Sequence, residues 1–167
     1  MQHAFSKVSV IGLGYIGLPT AATIASRGVD VVGVDINEQA VKTISSGAVH
    51  IIEPDLDMLV RAAVSTGKLR AVSAPEKAYA FIIAVPTPVA TGHTPDLSYI
   101  ESAARSIAPV LDAGNLVILE STAPVGTGRS SPAGSATCDR IWVFRIRREK
   151  EPTSASPTAR SAFFPGG

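Results

Sequence analysis

The chain of 167 residues has little of several features that mark particular classes of protein. It contains a single cysteine, Cys138, which excludes an internal disulfide. The formal net charge is +1 and the charged fraction 17%, which gives no strong field toward nucleic acid or a membrane surface. No apolar run is long enough to span a bilayer, and no histidine or cysteine cluster has the spacing of metal ligands. We also identify no signal peptide, so we expect a cytoplasmic protein of one domain or a piece of a larger one.

What the sequence does contain is an alternation of strand-like and helix-like segments up to residue 127. The predicted strands are 7–11, 29–34, 69–72, 80–85 and 116–120. The predicted helices are 15–27, 37–46, 55–66 and a fourth from residue 96 to near residue 109, with Asn37, Asp55 and Asp96 as caps and Gly28, Gly47 and Gly67 as stops. This alternation predicts an α/β fold, a Rossmann-like doubly wound parallel sheet with right-handed crossovers.

A glycine-rich turn joins the first strand to the first helix, in the segment Gly12-Leu13-Gly14-Tyr15-Ile16-Gly17. Gly12 permits a tight turn, Gly14 lets the backbone approach a pyrophosphate, and Gly17 lets helix and strand pack closely. The backbone N–H groups of Tyr15 and Ile16 then face the phosphates at the positive end of the helix dipole. A glycine turn without a ligand is the structural alternative, but the full order of strand, turn, helix and second strand favours a dinucleotide site.

Asp35 ends the second strand, about 20 residues beyond the glycines, where a carboxylate accepts hydrogen bonds from the adenosine ribose hydroxyls. Ile36 and Asn37 follow it, and neither can hold a 2′-phosphate as Arg or Lys does. The sequence therefore predicts NAD as the cofactor in preference to NADP. FAD shares the glycine pattern and is the weaker alternative.

Two later loops follow predicted strands and are expected beside the cofactor, because ligands bind outside the carboxyl ends of parallel strands. The first contains Val85, Pro86 and Thr87, and the second contains Ser121 and Thr122. Both loops offer threonine hydroxyls. Judged from spacing alone, ordinary turns shaped by proline explain these segments better than a binding role does.

These residues resemble the UDP-glucose/GDP-mannose dehydrogenase family. The resemblance covers nearly all of residues 8–127 and is carried by six segments. They are VIGLGYIGLPTAA from Val10, GVDIN at 33–37, HIIEPDL at 50–56, AVPTP at 84–88, ESAARSIAPVL at 101–111 and LESTAPVGT at 119–127. AVPTP and LESTAPVGT are much more specific than the glycine pattern alone.

The resemblance implies a two-step oxidation, with two NAD, of the C6 alcohol of a UDP-sugar to a carboxylate for polysaccharide biosynthesis. The segments at 50–56 and 101–111 are closer to members that act on UDP-N-acetylmannosamine than to those that act on UDP-glucose. Tyr15, Ile16, Asp35, Thr87 and Thr122 match cofactor-side positions, and Thr122 also matches a residue that positions water. The catalytic cysteine lies in the family's C-terminal half, so its nucleophile is absent here. Cys138 matches no family motif.

The chain changes character near residue 128, and the last 40 residues contain no leucine. We expect residues 1–127 to form a truncated NAD-binding domain and residues 128–167 to be an irregular tail. Shifting the reading frame by one base lets residues 152–166 encode DISIAYCPERVLPG, which resembles the family's sixth strand and its YCPERVLPG motif. The hypothesis is that residues 128–167 are an out-of-frame translation.

Two consequences follow from that hypothesis. The strand at 116–119 becomes an unpaired edge, which favours poor solubility or partial folding. The chain is then the inactive NAD half of a UDP-sugar dehydrogenase. A stand-alone NAD-binding module and a gene remnant without catalysis are the alternatives, and the oligomeric state is left open.

Overall fold

Six strands form one sheet in the computed structural model, which describes residues 6–88, 96–121 and 140–145, the residues 121 and 140–145 by their backbone alone. In chain order the strands are β1 (Lys7–Ile11), β2 (Asp30–Val34), β3 (Leu69–Val72), β4 (Ala80–Ile83), β5 (Leu116–Ser121) and β6 (Arg140–Arg145). Their order across the sheet is β3-β2-β1-β4-β5-β6. The direction of winding reverses between β1 and β4, which is the switch point of a doubly wound sheet.

The first five strands are all parallel. Every residue of β4 is buried, and in β2 only Asp30 is exposed. Strands covered on both faces consist of nearly continuous apolar residues, because neither face meets water. The predicted α/β doubly wound sheet is therefore confirmed.

Four helices connect these strands, namely α1 (Gly17–Ser26), α2 (Glu38–Ser45), α3 (Leu56–Ser65) and α4 (Ser98–Ile107), the last followed by a short 3-10 turn at Ala108–Val110. α1 begins two residues later than predicted, because Tyr15 and Ile16 belong to the preceding turn. Gly28, Gly47 and Gly67 follow helices with positive φ angles, which confirms them as helix stops. Among the helices of the described residues, none combines the length and apolar character that crossing a membrane requires.

The three predicted caps have different outcomes. Asn37 caps α2 as predicted, and its side chain accepts hydrogen bonds from the N–H groups of Gln39 and Ala40. Asp55 occupies the N-cap position of α3 as predicted, but its φ of 61° is left-handed and its side chain makes no capping hydrogen bond. Asp96 lies one residue before the N-cap of α4 and still accepts from the N–H of Ser98. Hydrogen bonds from Ser98 hold the pKa of the Asp96 carboxyl below its usual value.

The core has one apolar cluster on each face of the sheet. On one face, α1 packs against β1 and α3 packs against α1 and β3, with Leu18 and Val60 fully buried. On the other face, α4 packs through Ile107 against Phe81 and Val117. Residues 73–79 cross from β3 to β4 without a helix. Each large side chain buried in this way contributes about 1.5–3 kcal/mol of transfer free energy, so both clusters hold the strand ends in fixed positions.

β6 corrects one expectation about the tail. It pairs with β5 in the antiparallel direction over six residues, from Leu116 opposite Arg145 to Ser121 opposite Arg140. The prediction that β5 has an unpaired edge is therefore wrong, because backbone groups of residues 140–145 occupy that edge. Residues 140–145 also form a regular strand inside the segment predicted to be irregular. Residues 122–139, with Thr122 and Cys138, and residues 146–167 lie outside the described part of the chain.

Candidate functional site

The glycine turn after β1 starts at a position that only glycine can occupy without strain. Gly12 has a φ of +91°, and its N–H donates to the carbonyl oxygen of Val34 at 2.8 Å. A Cβ at Gly12 would lie 2.7 Å from the carbonyl oxygen of Ala84. Gly12 therefore lets the turn leave β1 while the end of β4 stays close beside it.

Gly17 and Gly14 are glycines for different reasons. A Cβ at Gly17 would overlap the carbonyl oxygen of Gly12, so the protein's own packing excludes any side chain there. A Cβ at Gly14 would have no atom within 4 Å, and Gly14 has no positive φ. Gly14 lines a cavity together with Tyr15 and Ile16, directly before α1, whose leading N–H groups have no acceptor inside the helix. That space fits the pyrophosphate of a dinucleotide, which is held at such helix starts.

Asp35 is attached to the glycine turn by its side chain. Its Oδ2 accepts from the N–H of Leu13 at 2.8 Å, and its Oδ1 accepts from the N–H of Asn37, also at 2.8 Å. The carboxylate is half-buried and lies at the end of β2. Each carboxylate oxygen keeps a second lone pair for ribose hydroxyls, so the residue can hold the turn and accept hydrogen bonds from a ligand together.

A cavity of about 510 Å³ lies along the carboxyl ends of the strands and brings most of the predicted site together. The predicted site residues that line it are Gly12, Gly14, Tyr15, Ile16, Asp35, Val85 and Pro86. Gly17 is buried beneath the turn, and Thr87 is buried without being one of the lining residues. The side chain of Ser121 and all of Thr122 lie outside the described residues, so their roles stay predictions.

Residues 6–137 match the UDP-glucose/GDP-mannose dehydrogenase family, NAD binding domain. The chain belongs to this family. The match covers most of the chain and names NAD as the cofactor of the domain, in agreement with the space at Gly14 and the position of Asp35.

Relatives in this family are considerably longer than the chain. An NDP-N-acetyl-D-galactosaminuronic acid dehydrogenase of Ralstonia nicotianae is 67% identical over 122 residues, which are 73% of this chain and 29% of the relative. A UDP-N-acetyl-D-mannosamine dehydrogenase of Escherichia coli is 62% identical over 124 residues, 74% of this chain and 30% of the relative. The structure of the UDP-N-acetyl-mannosamine dehydrogenase of Staphylococcus aureus aligns with a TM-score of 0.69 at 46% identity, covering 70% of this chain and 29% of that one. The chain thus spans less than a third of the length of these relatives.

Several residues of this NAD-binding domain line the cavity although sequence reasoning did not select them. Tyr99, Ser102, Ala103 and Ser106 form one face of α4, and Ser73 and Pro75 come from the connection between β3 and β4. The spacing of the four α4 residues is that of a single helix face, which is a signal the sequence contains. Nothing in the sequence shows that this face turns toward the cavity.

The charges around the cavity are acidic. Asp35 and Glu120 line it, and in the described part of the chain no lysine or arginine does. No ion pair within the described residues involves either carboxylate. No group of three or more His, Cys, Asp or Glu side chains among the described residues is placed to hold a metal ion. Among the described residues, the positive groups available to the phosphates of NAD are therefore backbone N–H groups and the α1 dipole.

Proposed function

We propose that the chain supplies the NAD-binding part of a cytoplasmic UDP-sugar 6-dehydrogenase, which oxidises UDP-N-acetyl-D-mannosamine to the uronate for polysaccharide biosynthesis. The observation that carries the proposal is Asp35, bonded to Leu13 of the glycine turn next to the open space at Gly14. The names of the Escherichia coli and Staphylococcus aureus relatives support the sugar.

Bound NAD would supply the hydride acceptor, one NAD molecule for each of the two oxidations. The residues of this chain bind and orient it. The N–H groups of Tyr15 and Ile16 hold the pyrophosphate, and Asp35 accepts from the adenosine ribose. Val85, Pro86, Thr87, Ser121 and Thr122 contribute to the opposite half of the site, with Thr122 as the water-positioning residue.

Cofactor titration tests the first part of the proposal. The chain is expected to bind NAD at least about tenfold more tightly than NADP, because Asp35 repels a 2′-phosphate and Ile36 offers it no donor. Asp35→Asn weakens NAD binding about tenfold by replacing a charged acceptor. Asp30→Asn at the amino end of β2 is the matched control and leaves the affinity unchanged. Equal affinities for NAD and NADP would contradict the proposal.

The sugar is tested with chimeras, since most of each relative lies outside the aligned segment. Residues 6–121 replace the corresponding segment of the Escherichia coli UDP-N-acetyl-D-mannosamine dehydrogenase, and in parallel that of the Ralstonia enzyme. We expect the first chimera to retain the larger share of its parent's kcat/KM. The reverse result favours the second candidate, an N-acetylgalactosamine nucleotide as substrate, which the 67% identity of the Ralstonia relative supports. A UDP-glucose dehydrogenase in the same exchange tests the remaining alternative.

We further propose that residues 128–167 are translated out of frame and that these 167 residues alone have no dehydrogenase activity. The two curated relatives align over 122 and 124 residues, about the length that precedes residue 128, although the family match extends to residue 137. Sequencing the gene across codon 128 is the test. A shifted frame that does not continue into a sugar-binding domain contradicts the frameshift. Production of NADH from UDP-N-acetylmannosamine by this chain contradicts the lack of activity.

A further inference from the structure

Glu120 is a charged residue in the cavity that the proposed function leaves without a role. It lies near the carboxyl end of β5 and lines the cavity together with Gly14 and Ala84. Thr20 of α1 donates its hydroxyl hydrogen to Oε2 of Glu120 at 3.4 Å. Side chains alternate along a strand, so Glu120 shares a face with Ile118, which packs in the α1 cluster. Both observations direct the carboxylate toward the start of α1.

The position of Glu120 assigns it to one half of the cofactor. Asp35, at the end of β2, marks the side of the adenosine ribose. A dinucleotide bound in a doubly wound sheet crosses the switch point, here between β1 and β4, so its nicotinamide half would lie toward β4 and β5. Glu120 therefore lies on the nicotinamide side.

The two redox forms of the cofactor differ in charge on this side alone. The oxidised nicotinamide ring carries a positive charge, and the reduced ring is neutral. A carboxylate nearby attracts the oxidised ring, and in the described part of the chain no basic side chain lines the cavity to offset it. We propose that Glu120 determines the redox preference of the site, so that the domain binds NAD+ more tightly than NADH. The inference rests on the NAD-binding function proposed above.

This preference suits an oxidising enzyme. An oxidation that uses two NAD must release NADH after the first hydride transfer, before the second NAD+ enters. Weaker binding of the neutral ring favours that exchange. The carboxylate takes no proton or hydride in the reaction and acts only through its charge on the two bound forms.

The test is the ratio of dissociation constants for NADH and NAD+, measured by calorimetric titration of the full chain. We expect the ratio to fall about three- to tenfold in Glu120→Gln, which keeps the shape and the acceptor for Thr20 while removing the charge. Glu120→Asp and Thr20→Val keep the charge and hold the ratio within about twofold of the original. Asp30→Asn removes one negative charge at the amino end of β2, which lies roughly 16 Å from Asp35 at about 3.3 Å per residue along the strand. This substitution is expected to leave the ratio unchanged.

Each other outcome overturns the inference in a recognisable way. An unchanged ratio in Glu120→Gln removes the electrostatic role. Equal weakening of both forms shows that Glu120 binds a group common to them, such as the ribose. An equal fall in Asp30→Asn shows an effect of net charge. If Glu120→Gln does not fold, the ratio in the unaltered chain must fall as salt increases, and constancy overturns the inference. Failure of the chain to bind either form overturns the NAD-binding function as well.

Discussion

Charged side chains have different partners at the amino ends and at the carboxyl ends of the strands. At the amino ends of the strands, carboxylates meet cations. Glu76 bonds both Arg70 and Lys7, Asp30 pairs with Lys68 at 2.8 Å, and Asp112 pairs with Lys77 at 3.0 Å. At the carboxyl ends, Asp35 and Glu120 bond backbone N–H groups and a hydroxyl. The carboxylates at the amino ends of the strands, which we call the amino edge, form ion pairs within the chain. Those at the carboxyl ends, the carboxyl edge, form no ion pair among the described residues and can interact with a ligand.

Substitutions at the two ends of the strands are therefore expected to have different effects. Changes at the amino edge are expected to alter stability and its dependence on pH while cofactor affinity stays constant. Changes at the carboxyl edge are expected to alter cofactor affinity while the fold stays constant, except where packing itself demands a residue. Five substitutions test this division, and the first of them lies at such an exception.

Gly17 and Gly14 give the largest expected contrast, although both lie at the carboxyl edge. Gly17→Ala forces a Cβ against the carbonyl oxygen of Gly12, and we expect the free energy of unfolding to fall by about 3 kcal/mol. Gly14→Ala has open space and leaves stability within about 1 kcal/mol, but its Cβ fills the space assigned to the pyrophosphate, so NAD affinity falls at least about tenfold. Urea unfolding and NAD titration of both variants measure this. Equal stability losses would contradict the assignment of Gly14 to the ligand.

Glu76 gives an intermediate effect at the amino edge. Hydrogen bonds from Arg70 and Lys7 lower its pKa to about 2 from the usual 4.5. Because the pKa is depressed in the folded state, this stabilisation is present above pH 4.5 and is lost as the pH falls toward 2. The side chains of Glu76 and Arg70 are 39% and 53% exposed, so solvent screening limits the contribution to about 1 kcal/mol.

Unfolding of the unaltered chain and of Glu76→Gln at a series of pH values measures this contribution. The variant should lose less stability on acidification, with unchanged NAD affinity at neutral pH. A parallel pH dependence in the two proteins, or weaker NAD binding by the variant, would break the division between the two edges.

Ser9 lies between the edges and gives the smallest effect. Its side chain is fully buried on β1, and its hydroxyl has no hydrogen-bond partner among the described residues. Ser9→Ala removes this polar group, so we expect stability to be unchanged or to rise by up to about 1 kcal/mol. Val10→Ala on the same strand is the contrast and loses about 2–3 kcal/mol by leaving a cavity. A comparable loss in Ser9→Ala would reveal a partner for the hydroxyl.

The sequence predicted the parallel strands and the helices between them well, because local rules govern those features. Apolar runs bounded by glycines identify buried strands. Asparagine is a preferred N-cap residue, so Asn37 predicts the start of α2. The tight turn at Gly12 and the place of Asp35 at the end of β2 were also predictable, since local sequence order sets both, whereas the cofactor contacts of Gly12, Gly14 and Asp35 stay predictions.

The rest depends on contacts between distant segments. The bond between Leu13 and Asp35 spans 22 residues, and the bond between Thr20 and Glu120 spans 100. The periodicity of the α4 sequence does not show that Tyr99 and Ser102 line the cavity. β6 was missed because its residues lie in a segment without regular pattern, and its pairing with β5 is visible only in the sheet.

The hydrogen bond between Leu13 and Asp35 also affects how this site can be redesigned. Converting an NAD site to NADP ordinarily begins by replacing the acid at the end of β2, so that a 2′-phosphate is admitted. Here the same replacement removes the bond that attaches the glycine turn to β2, so one substitution changes both selectivity and the shape of the phosphate-binding backbone. A redesign toward NADP that replaces Asp35 is therefore expected to succeed only with a residue, or a second substitution, that again supports the turn.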